Sequence, residues 1–178
     1  NGRCAKAHGY SRIRGHQEGA RIIKRLVRFA DKLGVGHMTL YVFSSENWSR
    51  PRIEISALMK LIRAYVVRER DELHEEGVRF LHFGRRNNLP TILADELKRS
   101  EEKTAGNKRL TLNLALNYGG RAEIVDAVQQ IVRKGIPADQ ITEELISQHL
   151  YHPEVPDPDL IIRTSGEMRI SNFLLWQA

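Results

Sequence analysis

Two arginines, Arg163 and Arg169, bracket a turn containing Ser165 and Gly166, and Ser171 follows directly. Guanidinium forks match phosphate oxygens two at a time, and a nearby hydroxyl adds a further donor, so Arg163, Arg169 and Ser171 form a candidate diphosphate cradle. The same arginines could instead be surface groups paired with Glu154 or Glu167, an arrangement worth only ~0 to 1 kcal/mol. A second basic stretch, Asn1, Gly2 and Arg3 followed by Arg12 and His16, enters a helix. There, free amides and the dipole favour an anion. A third concentration, "SSENWSRP", crowds Ser44, Ser45, Glu46, Asn47, Trp48 and Arg50 into one connection. It reads either as a site or as a capped turn with Trp48 at the edge of a core.

Other chemistries find little support. The chain lacks GxxxxGK[ST], and "NYGGR" is a tight strand-to-helix turn rather than a GxGxxG fingerprint. His8, His37, His74, His82, His149 and His152 show no ligand spacing, and neither HExxH nor a DDxxD cluster occurs. Glu69, Asp71, Glu72, Glu75 and Glu76 read as a solvated helix face.

These residues need elements to position them. Ile22, Ile23, Leu26, Val27, Ala30 and Leu33 recur at helical spacing, predicting a helix from His16 to Leu33 that stops at Gly34. "HMTLYVF" predicts a strand and "SSENWSRP" a loop. A long helix follows from Ile53 to Gly77, with a stripe through Ile55, Leu58, Met59, Ile62 and Val66. Next come the strand "VRFLHFG", a helix from Thr91, the strand "LTLNLAL", the turn "NYGG", a helix from Arg121 and a helical "TEELISQHL". After the loop "YHPEVPDPD" the pattern predicts a strand "LIIRT" and the start of a last helix that leaves Phe173, Leu174, Leu175 and Trp176 exposed. Alternating strands and helices predict an α/β fold, a single domain with a mainly parallel central sheet flanked by helices. Ligands of such sheets bind beyond the carboxyl ends of the strands, which singles out 44–50, 117–121 and 163–171.

At 178 residues and 41% hydrophobic content the chain can build one substantial core. Its formal charge of +6 favours an anionic partner. The single Cys4 excludes an internal disulfide and fits a reducing compartment. No run approaches the roughly 20 apolar residues of a membrane span. The chain opens without Met and stops in mid-pattern at Ala178, so residues 1–178 read as a domain truncated at both termini, with a strand expected before "NGR".

With "NGR…SRIRGH", "LYVFSSENWSRP", "LTLNLALNYGGRAEIVDA" and "DPDLIIRTSGEMRISNFLLWQ" in order, the chain resembles the bacterial undecaprenyl diphosphate synthases of the cis-prenyltransferase family. The resemblance implies the cis-prenyltransferase fold and a cytoplasmic, membrane-peripheral homodimer that adds isopentenyl diphosphate repeatedly to farnesyl diphosphate. The reaction would use Mg2+, form cis double bonds, and make the lipid carrier for cell-wall glycans, with membrane contact through the lipid product and no nucleic acid. It implies that Arg163, Arg169, Ile170 and Ser171 hold isopentenyl diphosphate. Asn1, Gly2, Arg3, Cys4, Arg12 and His16 would hold the allylic diphosphate, and Ser44, Ser45, Glu46, Trp48 and Arg50 would line the site between them. Asn47 matches the residue assigned as proton acceptor; because an amide is a poor base, an orienting role suits it better. The stripe of the long helix, with Val42 and Leu110, would line a tunnel for the product or simply form core. Cys4 stands where the family has Trp. The family's magnesium carboxylates fall outside the chain, which is therefore expected to be inactive by itself.

Two other readings use the same residues. One is a catalytically silent partner subunit, against which Asn47, Arg163, Arg169 and Ser171 argue. The other is a basic RNA-binding α/β protein, whose continuous basic and aromatic track is not evident.

Overall fold

Three apolar runs rich in β-branched and aromatic residues pair side by side in the computed structural model, which describes residues 5, 7–164 and 166–178 and, within the first helix, omits the side chains of residues 12, 13, 16 and 20. Helix α1 (Arg12–Lys32) leads into β1 (His37–Ser44), then a 3-10 turn (Ser45–Ser49) and α2 (Arg52–Glu75). Strand β2 (Arg79–Phe83), α3 (Thr91–Thr104), β3 (Thr111–Tyr118) and α4 (Gly120–Arg133) follow, with a short α5 (Glu143–Ser147). Among the described residues the sheet is three-stranded and wholly parallel, in the order β1-β3-β2. The central β3 is buried along all eight residues, as a strand covered on both faces must be.

One face carries the larger core. Leu110, Leu112, Leu114 and Leu116 meet Val27 of α1, Leu58, Met59, Ile62 and Val66 of α2, and Leu93 and Leu97 of α3. The α2 stripe and Leu110 are therefore core. Against the other face, Phe83, Ala115 and Tyr118 receive Tyr151, Val155, Phe173 and Leu174. Helix α1 begins at Arg12 rather than His16, because the Ser11 hydroxyl accepts from the Arg14 amide and caps the first turn.

Several expectations need correction. Residues 160–164 form no strand. Leu160 and Ile162 are exposed and the segment joins neither edge of the described sheet, and an apolar run without a backbone partner cannot make a ladder. Residues 171–178 form turns instead of a helix, since Ser171, Asn172 and Leu174 all have positive φ, which no right-handed helix contains. The run after them is not left open. Leu174 is buried, Phe173 stacks on Tyr41 with centroids 4.5 Å apart, and the Trp176 indole donates to Ser147 Oγ at 2.9 Å. The acidic face of α2 is also not merely solvated: Glu72 pairs with Lys24 and Arg28, Glu76 with Arg28 at 2.6 Å, and Asp71 with Lys103 at 2.5 Å.

Candidate active site

The carboxyl ends of β1 and β3 deliver two polar segments to one place, and the C-terminal segment folds over both. After β1 the 3-10 turn presents Ser45, Glu46, Asn47 and Trp48. The Ser44 amide donates to Asn47 Oδ1 at 3.4 Å, which turns the Asn47 carboxamide back onto its own turn. Trp48 combines both of its expected roles: its ring meets Phe43 edge-on at 5.0 Å, and its Nε1 donates to Asn117 Oδ1 at 2.7 Å. Asn117, in the left-handed region at the end of β3, spends its Nδ2 on the carbonyls of Arg85 and Asn87. The indole is thus held at its wet edge by a side chain that is itself fixed.

Asn172 joins the segments. Its carbonyl accepts from the Gly120 amide at 2.8 Å, its Oδ1 accepts from the Arg121 amide at 2.8 Å, and its Nδ2 donates to Glu46. Two of those bonds fall on free amides in the first turn of α4, which a helix leaves without internal partners. Close approach here explains the glycines of "NYGG". A Cβ on Gly119 would collide with Ser45 Oγ and the Asn172 carboxamide, and one on Gly120 would lie 2.9 Å from Leu175. Tyr41, within β1, donates its hydroxyl to the Ser171 carbonyl at 3.2 Å. Burial pushes that hydroxyl up to about 12, so it stays a donor at neutral pH.

The Arg163 guanidinium spans the turn, donating to the Arg169 carbonyl and to Ser171 Oγ at 2.8 Å. Arg163 and Ser171 are therefore together as expected, with Arg169 and Ile170 exposed beside them. Arg169 pairs with Glu167 at 3.0 Å, which realises part of the surface-pair alternative, whereas Glu154 is engaged by His152 and Arg79. Arg50 leaves the turn to pair with Glu54 at 3.1 Å. Partial burial acts to raise the Glu46 carboxyl, but bonds from Asn172, its own backbone and Ser44, with Arg121 nearby, outweigh it and hold the group below the usual carboxylate range. The site thus presents a fixed anion, Glu46, within a ring of donors and cations. Arg12 and His16 lie on the first turns of α1, but their side chains, and all of Asn1, Gly2, Arg3, Cys4 and Ser165, lie outside the described residues.

Sequence reasoning missed Asn172 and Tyr41. Arg121 lay within a flagged segment, but nothing local marks Asn172 or Tyr41, whose partners Glu46 and Ser171 are 126 and 130 residues away in sequence. No group of three or more His, Cys, Asp or Glu among the described residues could hold a metal ion.

Comparison with known proteins adds to this geometry. The prenyltransferase family model described as undecaprenyl diphosphate synthase matches residues 1–178. An isoprenyl transferase of Fusobacterium nucleatum is 51% identical over 177 residues, 99% of this chain and 76% of that protein. One of Thermotoga maritima is 48% identical over 180 residues, 100% of this chain and 77% of that protein. Among solved structures, lavandulyl diphosphate synthase from Lavandula x intermedia in complex with dimethylallyl diphosphate has a TM-score of 0.90 at 33% identity, covering 98% of this chain and 78% of that one. A probable undecaprenyl diphosphate synthase from Campylobacter jejuni has a TM-score of 0.82 at 31% identity, covering 90% and 76%.

Proposed function

The chain belongs to the undecaprenyl diphosphate synthase family of prenyltransferases, and from that premise we propose that it condenses isopentenyl diphosphate sequentially, in cis, onto farnesyl diphosphate. The product is an undecaprenyl-type polyprenyl diphosphate that serves as lipid carrier for cell-wall glycans. The observation that carries this reading is the convergence, through Asn172, of the segments after β1 and β3 with the Arg163–Ser171 turn. Donors from three segments meeting at the carboxyl end of a parallel sheet suit an anionic ligand.

In this reading Arg163, Arg169, Ile170 and Ser171 bind isopentenyl diphosphate, and Asn1, Gly2, Arg3, Cys4, Arg12 and His16 bind the allylic diphosphate. Ser44, Ser45, Glu46, Trp48 and Arg50 position what lies between. The allylic C–O bond breaks as the isopentenyl double bond attacks, diphosphate leaves with the bonding pair, and a proton then passes to a diphosphate oxygen or water as the new double bond forms. Cations around the departing diphosphate stabilise its charge, and fixed walls hold the reacting carbons at near-attack distance. Asn47 orients rather than abstracts, in keeping with its carboxamide being bonded back to Ser44. Magnesium belongs to the proposal as the family's cofactor, and no step is routed through it. Residues 1–178 would act as one cis-prenyltransferase domain within a cytoplasmic homodimer, and the polyprenyl product would bring it to a membrane. Among the described residues no helix is long and apolar enough to cross one.

Likeness to a protein seen with dimethylallyl diphosphate favours a second, narrower reading, in which a shorter allylic substrate is extended once. Protein made from the natural reading frame, given radiolabelled isopentenyl diphosphate, magnesium and either farnesyl or dimethylallyl diphosphate, separates the two. Long cis-polyprenyl products from farnesyl diphosphate are expected. A single condensation confined to dimethylallyl diphosphate supports the second reading, and only trans products or none from folded protein overturn both.

A further inference from the structure

Helix α1 presents two apolar faces, of which the described residues cover one. Ile23, Val27 and Ala30 pack into the core. Roughly 100° around the axis, Ile22, Leu26, Phe29 and Leu33 recur at i, i+4, i+7 and i+11 and so form one stripe. These four are 51%, 44%, 62% and 66% exposed, and Val35 extends the stripe past the helix end. Isolated surface apolar residues are ordinary, but four aligned large ones are not.

The far flank of the stripe is basic. Arg14, Arg21, Arg25 and Lys32, at i, i+7, i+11 and i+18, fall in a second exposed row. The acidic groups nearby are already engaged: Glu18 by Arg21 at 3.0 Å, Asp31 by Arg109 at 2.5 Å, and Glu69, Glu72 and Glu76 by Lys24 and Arg28. Arg25 and Lys32 have no acidic partner among the described residues.

We propose that this face of α1 docks on an anionic lipid bilayer, with Leu26, Phe29 and Leu33 inserted at the headgroup boundary and Arg25 and Lys32 against lipid phosphates. A helix with a polar, Lys/Arg-rich flank and a Leu/Phe stripe has the pattern of one lying in a membrane interface. Charge complementarity selects that occupant. A second copy offers nothing complementary at this face, because no acidic row flanks the stripe to meet Arg25 and Lys32. The covered flank of α1 also lines a cavity of ≈ 50 Å³ with Tyr65, Leu73 and Leu112, closed at its rim by the ion-paired Lys24, Glu69, Glu72 and Glu76. The inference stands apart from the transferase reading. Vesicle binding is measured without turnover, so either can fail while the other stands.

Co-sedimentation of the purified chain with phosphatidylcholine vesicles, with and without phosphatidylglycerol, tests it. Binding to the anionic vesicles is expected to exceed binding to neutral ones by about tenfold or more, and inorganic phosphate should not compete. Phe29→Ser with Leu33→Ser should cut binding about tenfold or more at unchanged far-UV circular dichroism. Ile92→Ser with Val132→Ser, at sites 59% and 67% exposed elsewhere, should leave it unchanged. If the stripe variant does not fold, Arg25→Gln with Lys32→Gln should still abolish the preference for anionic lipid. No vesicle binding, equal losses from the control variant, or a stripe variant that dissociates an oligomer while vesicle binding persists overturns the proposal.

Discussion

Removing the Asn172 carboxamide frees the Arg121 amide and the Glu46 carboxylate together, so one substitution should loosen three segments. Asn172→Ala is expected to cost about 1 to 3 kcal/mol in kcat/KM, with a lower Tm, because a charge-assisted bond and a helix-end amide lose their partner. Asn172→Gly separates backbone from side chain: it tolerates φ 60° but lacks the carboxamide, and it should be as impaired in turnover as the alanine variant. Wild-type turnover in the glycine variant would show that only the turn matters. The two arginines should also part company. Arg163 is bonded across the turn, whereas Arg169, among the described residues, pairs with Glu167. Arg163→Ala should raise KM for isopentenyl diphosphate by the equivalent of about 1.5 to 3 kcal/mol and also lower Tm, while Arg169→Ala should raise KM alone. Equal weakening of both substrates would remove this turn from the isopentenyl site.

Strand β2 carries a proton-linked weakness. His82 is buried, its Nε2–H donates to the Leu116 carbonyl at 2.9 Å, and its buried Nδ1 has no partner among the described residues. Burial holds its pKa down at about 4, against an ordinary 6.5, because the charged ring would be desolvated with one N–H unsatisfied. The unfolded chain therefore binds the extra proton between those values. This part of the stability is fully present above pH 6.5 and is lost as pH falls toward 4, to the extent of about 3 kcal/mol. Glu123 on α4 acts with the opposite sign. Burial raises its carboxyl despite bonds from Tyr118, Gln177 and the Tyr151 amide, so its contribution declines as pH rises above the ordinary carboxylate value. Urea unfolding of wild type and His82→Gln, followed from pH 7 to pH 4.5, separates the two. The variant, whose amide can still donate to Leu116, should lose much less stability on acidification, and an unchanged slope would place the acid-sensitive proton elsewhere.

Over the whole molecule, a net charge of +6 together with a site of arginines and amides favours capture of anionic substrates. Long-range attraction is screened within about 10 Å at 0.1 M salt, so KM for both diphosphates should climb between low salt and about 0.5 M while kcat changes little. Steady-state kinetics across that range check it, and a fall in kcat at constant KM would point to the fold instead. The partly exposed pairs between α1 and α2, Lys24 and Arg28 with Glu72 and Glu76, are screened over the same range, so circular dichroism should accompany the kinetics.

The α/β order, the strands of the sheet, the inward stripe of α2 and the polar segments after β1 and β3 were all legible in the sequence. Periodicity, strand propensity and turn chemistry act between residues a few positions apart, so they survive without tertiary context. Three things did not survive in that way. Residues 160–164 have a strand's composition and no ladder, because pairing needs a neighbouring edge that composition does not describe. Residues 171–178 were read as a helix start but turn through left-handed backbone at Ser171 and Asn172, a conformation held by bonds to Tyr41, Gly120 and Arg121. The acidic residues of α2 have an amphipathic helix's solvent pattern, yet Glu72 and Glu76 face Lys24 and Arg28 of another helix. In the last two cases the deciding partner lies more than 40 residues away, and only the folded chain brings it into contact; in the first, only the folded chain shows that no edge of the described sheet is offered.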